Sequence, residues 1–142
     1  MLRDVGDRHG TAEALYNLGH VACEQENHSL AEARLREGVT MSLELEDRNG
    51  VAQGLECLAR VAVGNSAPAR AARLWGTAER LREQIGQPMR LNHRPSYNRA
   101  LAAARAALDD DAFTVAWCEG REMTLEDAVN YALGGANAPH GH

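Results

Sequence analysis

Lysine is missing from this chain, and all 15 of its basic residues are arginine. That pattern fits codon bias in a GC-rich genome. It also excludes a G-x-x-x-x-G-K-[ST] phosphate loop, whose lysine reaches the nucleotide phosphates. Aromatic residues amount to 4% and β-branched residues are scarce, while alanine and leucine dominate. Such a composition favours helices over strands. The three cysteines, Cys23, Cys57 and Cys118, have no C-x-x-C spacing and no zinc-ligand pattern. Their odd number points to reduced, buried thiols and a cytoplasmic location. No apolar run approaches the roughly 20 residues of a membrane span. No apolar run follows Met1-Leu2-Arg3-Asp4 either, so a signal peptide is not expected. Twenty acidic residues give a net charge of −5, which argues against direct attraction to nucleic acid or anionic lipid.

What the chain does contain is ordinary for one globular domain: 142 residues, 44% of them apolar and 25% charged. Its strongest signal is internal. A shift of 40 positions lays Asp7-Arg8-His9-Gly10 on Asp47-Arg48-Asn49-Gly50. Without a gap, Ala12, Leu15, Leu18, Val21 and Ala22 then meet Ala52, Leu55, Leu58, Val61 and Ala62. Farther on, Ala31, Leu35, Met41 and Leu45 meet Ala71, Trp75, Leu81 and Ile85. A fixed period of this length marks stacked repeats.

Each unit reads as two helices. Leu15, Leu18 and Ala22 form one apolar stripe, and the polar stretch from Glu24 to Ser29 ends it. Ser29 is expected to cap the second helix, with Ala31, Leu35 and Gly38 inward. Gly64-Asn65-Ser66 breaks the second unit, Ser66 caps, Pro68 lies in the first turn, and Gly86 closes the helix. After a loop from Gln87 to Arg94, Tyr97, Leu101, Ala104 and Leu108 mark another helix. Asp109-Asp110-Asp111 sits where a further helix should start, with Phe113, Ala116 and Trp117 on its buried side. Thr124 and Asp127 resemble a capping box for a last helix bearing Leu125, Ala128, Val129, Ala132 and Leu133.

The small and large residues fall in the order of the tetratricopeptide signature: Leu15, Leu18, Gly19, Ala22, Ala31 and Leu35, then Leu55, Leu58, Ala59, Ala62, Ala71, Trp75 and Ala78. The period is longer than the roughly 34 residues of the standard unit and overlaps the HEAT range, but that order favours the tetratricopeptide pattern. The C-terminal half is more specific. Ala71 through Glu79, Leu81-Arg82-Glu83, Tyr97 through Leu108, Ala112-Phe113, Ala116-Trp117, Glu119-Gly120-Arg121 and Leu125 through Val129 resemble the C-terminal helical region of large bacterial signalling regulators. Proteins of that kind join an NTPase module of the AAA/NB-ARC type to a helical array and an output domain, such as a LuxR-type DNA-binding region.

The resemblance implies an all-α, tetratricopeptide-like stack of antiparallel hairpins forming a right-handed α-solenoid with a C-terminal capping helix. On this reading one domain covers residues 1–134, with repeats at 7–46 and 47–86 and atypical helices over 95–133, and residues 135–142 form a disordered tail. Leu2 to Val5 read like the end of a preceding helix, so the chain is expected to be a fragment of a longer regulator. Without a phosphate loop or a recognisable helix-turn-helix, the regulators' own activities do not carry over to it.

The first helix of each hairpin lines the concave surface of such arrays. The matched register puts Glu13, Tyr16, His20 and Cys23, then Gln53, Glu56, Arg60 and Val63, outward in that groove. These residues suit a protein or peptide partner, including other domains of a parent regulator. A small-molecule inducer held in the groove is the alternative. No enzyme, metal or cofactor is expected. His20 with Cys23, and His140 with His142, fall short of the three or four convergent ligands a metal needs, and the serines lack an elbow motif. Arg70, Arg73 and Arg80 interleave with Glu79 and Glu83 and read as a solvated helix face. Leu18, Leu35, Leu58 and Trp75 are expected in the core, and the first hairpin is expected to be partly bare on its outer side and prone to self-association.

Overall fold

The computed structural model describes residues 2–89 and 94–134. Among them are seven helices and no strand: α1 (Leu2–Glu24), α2 (His28–Glu44), α3 (Arg48–Gly64), α4 (Pro68–Ile85), α5 (Arg94–Ala107), α6 (Asp110–Glu122) and α7 (Leu125–Gly134). The protein is therefore all-α. The expected tail, with His140 and His142, lies outside the described residues.

The turns between the first helices follow a rhythm of half the repeat. Glu26, Glu46, Ser66 and Gly86 all have positive φ, between 56° and 68°. In each case the next residue donates its amide to a carbonyl five positions back: Asn27 to Ala22, Asp47 to Ser42, Ala67 to Ala62 and Gln87 to Arg82. This is the left-handed helix ending that satisfies otherwise orphaned carbonyls. It reverses the chain within a few residues, so successive helices pack antiparallel. Asn27 and Asp47 cap the helices that follow, accepting from Leu30 N and Gly50 N. The caps expected at Ser29 and Ser66 are corrected by this geometry. Ser29 already lies inside α2, and Ser66 is the left-handed residue of its turn, while Ala67, at the N-cap position just before α4, has no side chain that can cap it. Farther on, Asp109 accepts from Ala112 N, and Thr124 Oγ1 accepts from Asp127 N.

The core runs through the repeated positions. Ala12, Ala22, Ala31, Leu35, Ala52, Leu55, Leu58, Ala62, Ala71, Trp75 and Leu81 are buried. Trp75 continues it into the C-terminal helices. It packs edge-on against Tyr97 of α5 at 5.8 Å and against Trp117 of α6 at 6.3 Å, and Trp117 meets Phe113 at 5.5 Å. Packing between α4 and α6 is closest at two glycines. A Cβ on Gly76 would stand 2.1 Å from the Trp117 carbonyl oxygen, and one on Gly120 would stand 1.9 Å from that of Arg73.

Two expectations fail in the packing. Leu18 is 54% exposed although its repeat partner Leu58 is buried. The difference is one of neighbours: α2 lies against both α1 and α3, so α3 has helices on two sides, whereas among the described residues α1 meets only α2 and α3 substantially. The arginines of α4 are also more than a solvated face. Arg70 donates to the Tyr131 and Ala132 carbonyls, and Arg73 to Glu119 and the Tyr131 hydroxyl. Arg80 donates to the Arg121 carbonyl, while Arg121 itself pairs with Glu79 and Glu83. These groups tie α4 to α6 and α7.

Candidate functional site

Because α1 and α3 are one repeat apart, they run parallel, and the same helical positions face the same hollow. Tyr16, Asn17 and His20 from α1 and Gln53, Glu56, Cys57 and Arg60 from α3 line a cavity of about 210 Å3, with Trp75 of α4, Met89, and Ser96, Tyr97 and Ala100 of α5. A second hollow of about 490 Å3 shares Glu56, Trp75, Met89 and Tyr97 with the first and continues past Arg82, Glu83 and Arg94. Together they form a trough with an aromatic floor.

Five of the eight expected groove residues, Tyr16, His20, Gln53, Glu56 and Arg60, line the first hollow. Glu13 lines another hollow of about 240 Å3 with His9 and Asp47, which meets the first at Tyr16 and Gln53. Cys23 and Val63 line neither hollow and instead pack partly buried against the core.

Tyr16 needs correction as an outward residue. It is 3% exposed. Its hydroxyl stands 2.9 Å from Ser42 Oγ and donates to the Gly50 carbonyl at 2.7 Å, and its ring covers Gly38. Only an edge reaches the cavity, and burial holds its phenol above the ordinary value.

The polar groups of the trough are engaged with each other. Glu56 and Arg82, each with a side chain only 10% exposed, form a two-point ion pair: Nε to Oε2 at 2.5 Å and Nη2 to Oε1 at 2.9 Å. Arg82 also donates to Asn49 Oδ1 and the Gln87 carbonyl. Burial raises the Glu56 carboxyl above its usual value, and Arg82 opposes that shift. Arg60 pairs with Glu24 and stands 2.8 Å from His20 Nδ1. Burial pushes the Cys57 thiol up to about 12 and raises Cys23 as well. Neither thiol is poised as a nucleophile at neutral pH. Among the described residues no group of three His, Cys, Asp or Glu side chains converges as a metal site, and no helix is long and apolar enough to cross a membrane.

Several trough residues escape a reading of the repeat. Met89, Ser96, Tyr97 and Ala100 come from a segment outside the 40-residue register. Tyr97 carries an apolar-stripe signal, but that signal marks it as core and says nothing of the cavity beside it.

The chain resembles part of known transcriptional regulators. It is 29% identical over 122 residues to proteins provisionally named HTH-type transcriptional regulators in two strains of Mycobacterium tuberculosis and one of Mycobacterium bovis. The match covers 86% of this chain but 14% of each relative. No family model matches the sequence, and no solved structure matches it.

Proposed function

We propose that this chain is a tetratricopeptide-type binding segment of a bacterial transcriptional regulator of the AAA/NB-ARC kind, and that its trough holds a peptide or helix of another protein or of another regulator domain. The observation that carries this reading is the trough itself. First helices one repeat apart supply matched positions to the first of two adjoining hollows, and the two share Trp75, Met89 and Tyr97. Aromatic and Met side chains that can desolvate an anchor residue are typical of protein-binding centres. Glu56 is paired with Arg82 and Arg60 with Glu24, so an apolar anchor beside them meets charge that is already neutralised. The same engagement, with burial raising the Cys57 thiol that lines the first hollow, supports a binding role over thiol catalysis.

A small-molecule inducer is the second reading. The inner hollow is about 210 Å3 and the adjoining one about 490 Å3, the second within the roughly 300–1,000 Å3 common for such ligands, so volume admits both readings and it is the extension across two hollows that suits an extended occupant. Selection of a phage-displayed peptide library on the immobilised chain separates the two. Peptides with an apolar anchor should be enriched, and their binding should fall at least tenfold in Tyr97→Ala. Absence of enrichment, or enrichment indifferent to Tyr97, would contradict the peptide reading.

A further inference from the structure

The charges of the outer hollow are used unequally. Glu56, Glu79 and Glu83 line it together with Arg82 and Arg94. Glu56 is held at two points by Arg82. Glu79 accepts from Trp117 Nε1 at 2.9 Å and from Arg121 at 2.7 Å. Both Glu83 oxygens accept from Arg121, at 2.8 and 3.2 Å. Among the described residues, Arg94 is the one lining charge with neither an ion pair nor a hydrogen bond. The Asn98 carboxamide lines the same hollow, and its side chain is equally unbonded among the described residues. Residues four apart on a helix are neighbours on its surface, so α5 presents a guanidinium and a carboxamide side by side. Tyr97, between them in sequence, lines both hollows.

We propose that Arg94 and Asn98 form an acid-binding subsite, which takes the side-chain carboxylate of an Asp or Glu carried by the bound segment next to its apolar anchor. This rests on the peptide-binding reading of the trough and adds the charge that the partner must bring. The occupant follows from hydrogen-bond chemistry. A guanidinium donates and cannot accept. A carboxylate answers it with charge-assisted bonds and keeps lone pairs for the Asn98 amide N–H. A basic side chain fits less well. It would have to displace Arg121 from Glu79 or Glu83, or Arg82 from the largely buried Glu56. It would also leave Arg94 covered and unpaired, at the full cost of desolvating a charge. A wholly apolar segment fails on that last ground too. Arg94 is exposed at the rim of the hollow, so the segment runs past it and the carboxylate is a side chain, not a chain end.

Peptides recovered from the phage-displayed library on the full chain are the probe, with affinities read by fluorescence polarisation. Their sequences should carry Asp or Glu at a fixed spacing from the anchor. Exchanging that residue for Asn or Gln should weaken binding to the parent chain about five- to tenfold, between the value of an exposed ion pair and that of a covered charged hydrogen bond. Arg94→Gln should bind the acidic peptide as weakly as the parent binds the neutral one, and should not distinguish the two peptides. Its urea midpoint should match that of the parent, because Arg94 makes no bond to another described residue. Selection repeated on Arg94→Glu should return Lys or Arg at the same spacing. Peptides whose binding depends on Tyr97 but shows no acidic preference and no response to Arg94→Gln would overturn the subsite and leave the trough reading standing. Loss on C-terminal amidation, with none on neutralising the acidic side chain, would overturn it as well. Failure to recover any Tyr97-dependent peptide would overturn both.

Discussion

Tyr16 shows how much a single position can hide. Its repeat partner, Glu56, looks into the trough beside Arg82, and the shared register places Tyr16 on the same outward arc. A phenol differs from a carboxylate in having a large apolar body, and that body fills the space over Gly38 and Gly54 while the hydroxyl satisfies buried acceptors. Tyr16→Ala should therefore destabilise the fold by about 3–5 kcal/mol, as buried aromatic truncations do. Tyr16→Phe should cost about 1–3 kcal/mol, because the Gly50 carbonyl loses its donor. Urea midpoints of the two variants check both figures. Glu56 gives a second test at this scale. Burial raises its folded value above that of the unfolded chain, so the native state binds this proton more readily. The stability contributed at this site is fully present below the ordinary glutamate value and declines as pH rises through the raised folded value. Glu56→Gln should remove that slope from a plot of denaturation midpoint against pH. A slope of opposite sign in the parent chain would show that Arg82 outweighs burial.

At the scale of elements, the helices were legible in the sequence because their apolar positions recur at helical spacing and repeat after 40 residues. Of the four Schellman-type endings the one at Gly86 was legible too, but the other three were not, because their left-handed residues Glu26, Glu46 and Ser66 carry no glycine signal. The α4–α6 crossing was hidden for a different reason. Gly76 and Gly120 lie inside α4 and α6, and nothing in the local sequence signals that each admits the backbone of the opposite helix. Gly120→Ala forces a methyl onto the Arg73 carbonyl, which only a separation of the two helices relieves. It should cost about 3 kcal/mol, the upper part of the overpacking range. It should also loosen the Trp75–Trp117 contact, visible as a change in tryptophan fluorescence. A neutral Gly120→Ala would mean that the helices do not approach this closely.

For the whole molecule, a period of 40 residues announced hairpins in succession, and the positions shared by α1 and α3 were enough to locate one side of the trough. The other side lay beyond the reach of the repeat, since α5 follows a non-repeating segment and brings Ser96, Tyr97 and Ala100 against Trp75 through tertiary packing alone. The exposure of Leu18 has the same origin: equal sequence positions on α1 and α3 acquire unequal neighbours. The central claim is that the trough between α1, α3 and α5 receives a polypeptide. Amide chemical-shift mapping of the labelled chain, titrated with a peptide selected from the library, tests it most directly. The account predicts shifts concentrated at Asn17, His20, Gln53, Arg60, Ser96, Tyr97 and Ala100, with α6 and the outer side of α2 unmoved. Shifts centred on α2 or α6, with those seven amides silent, would contradict it.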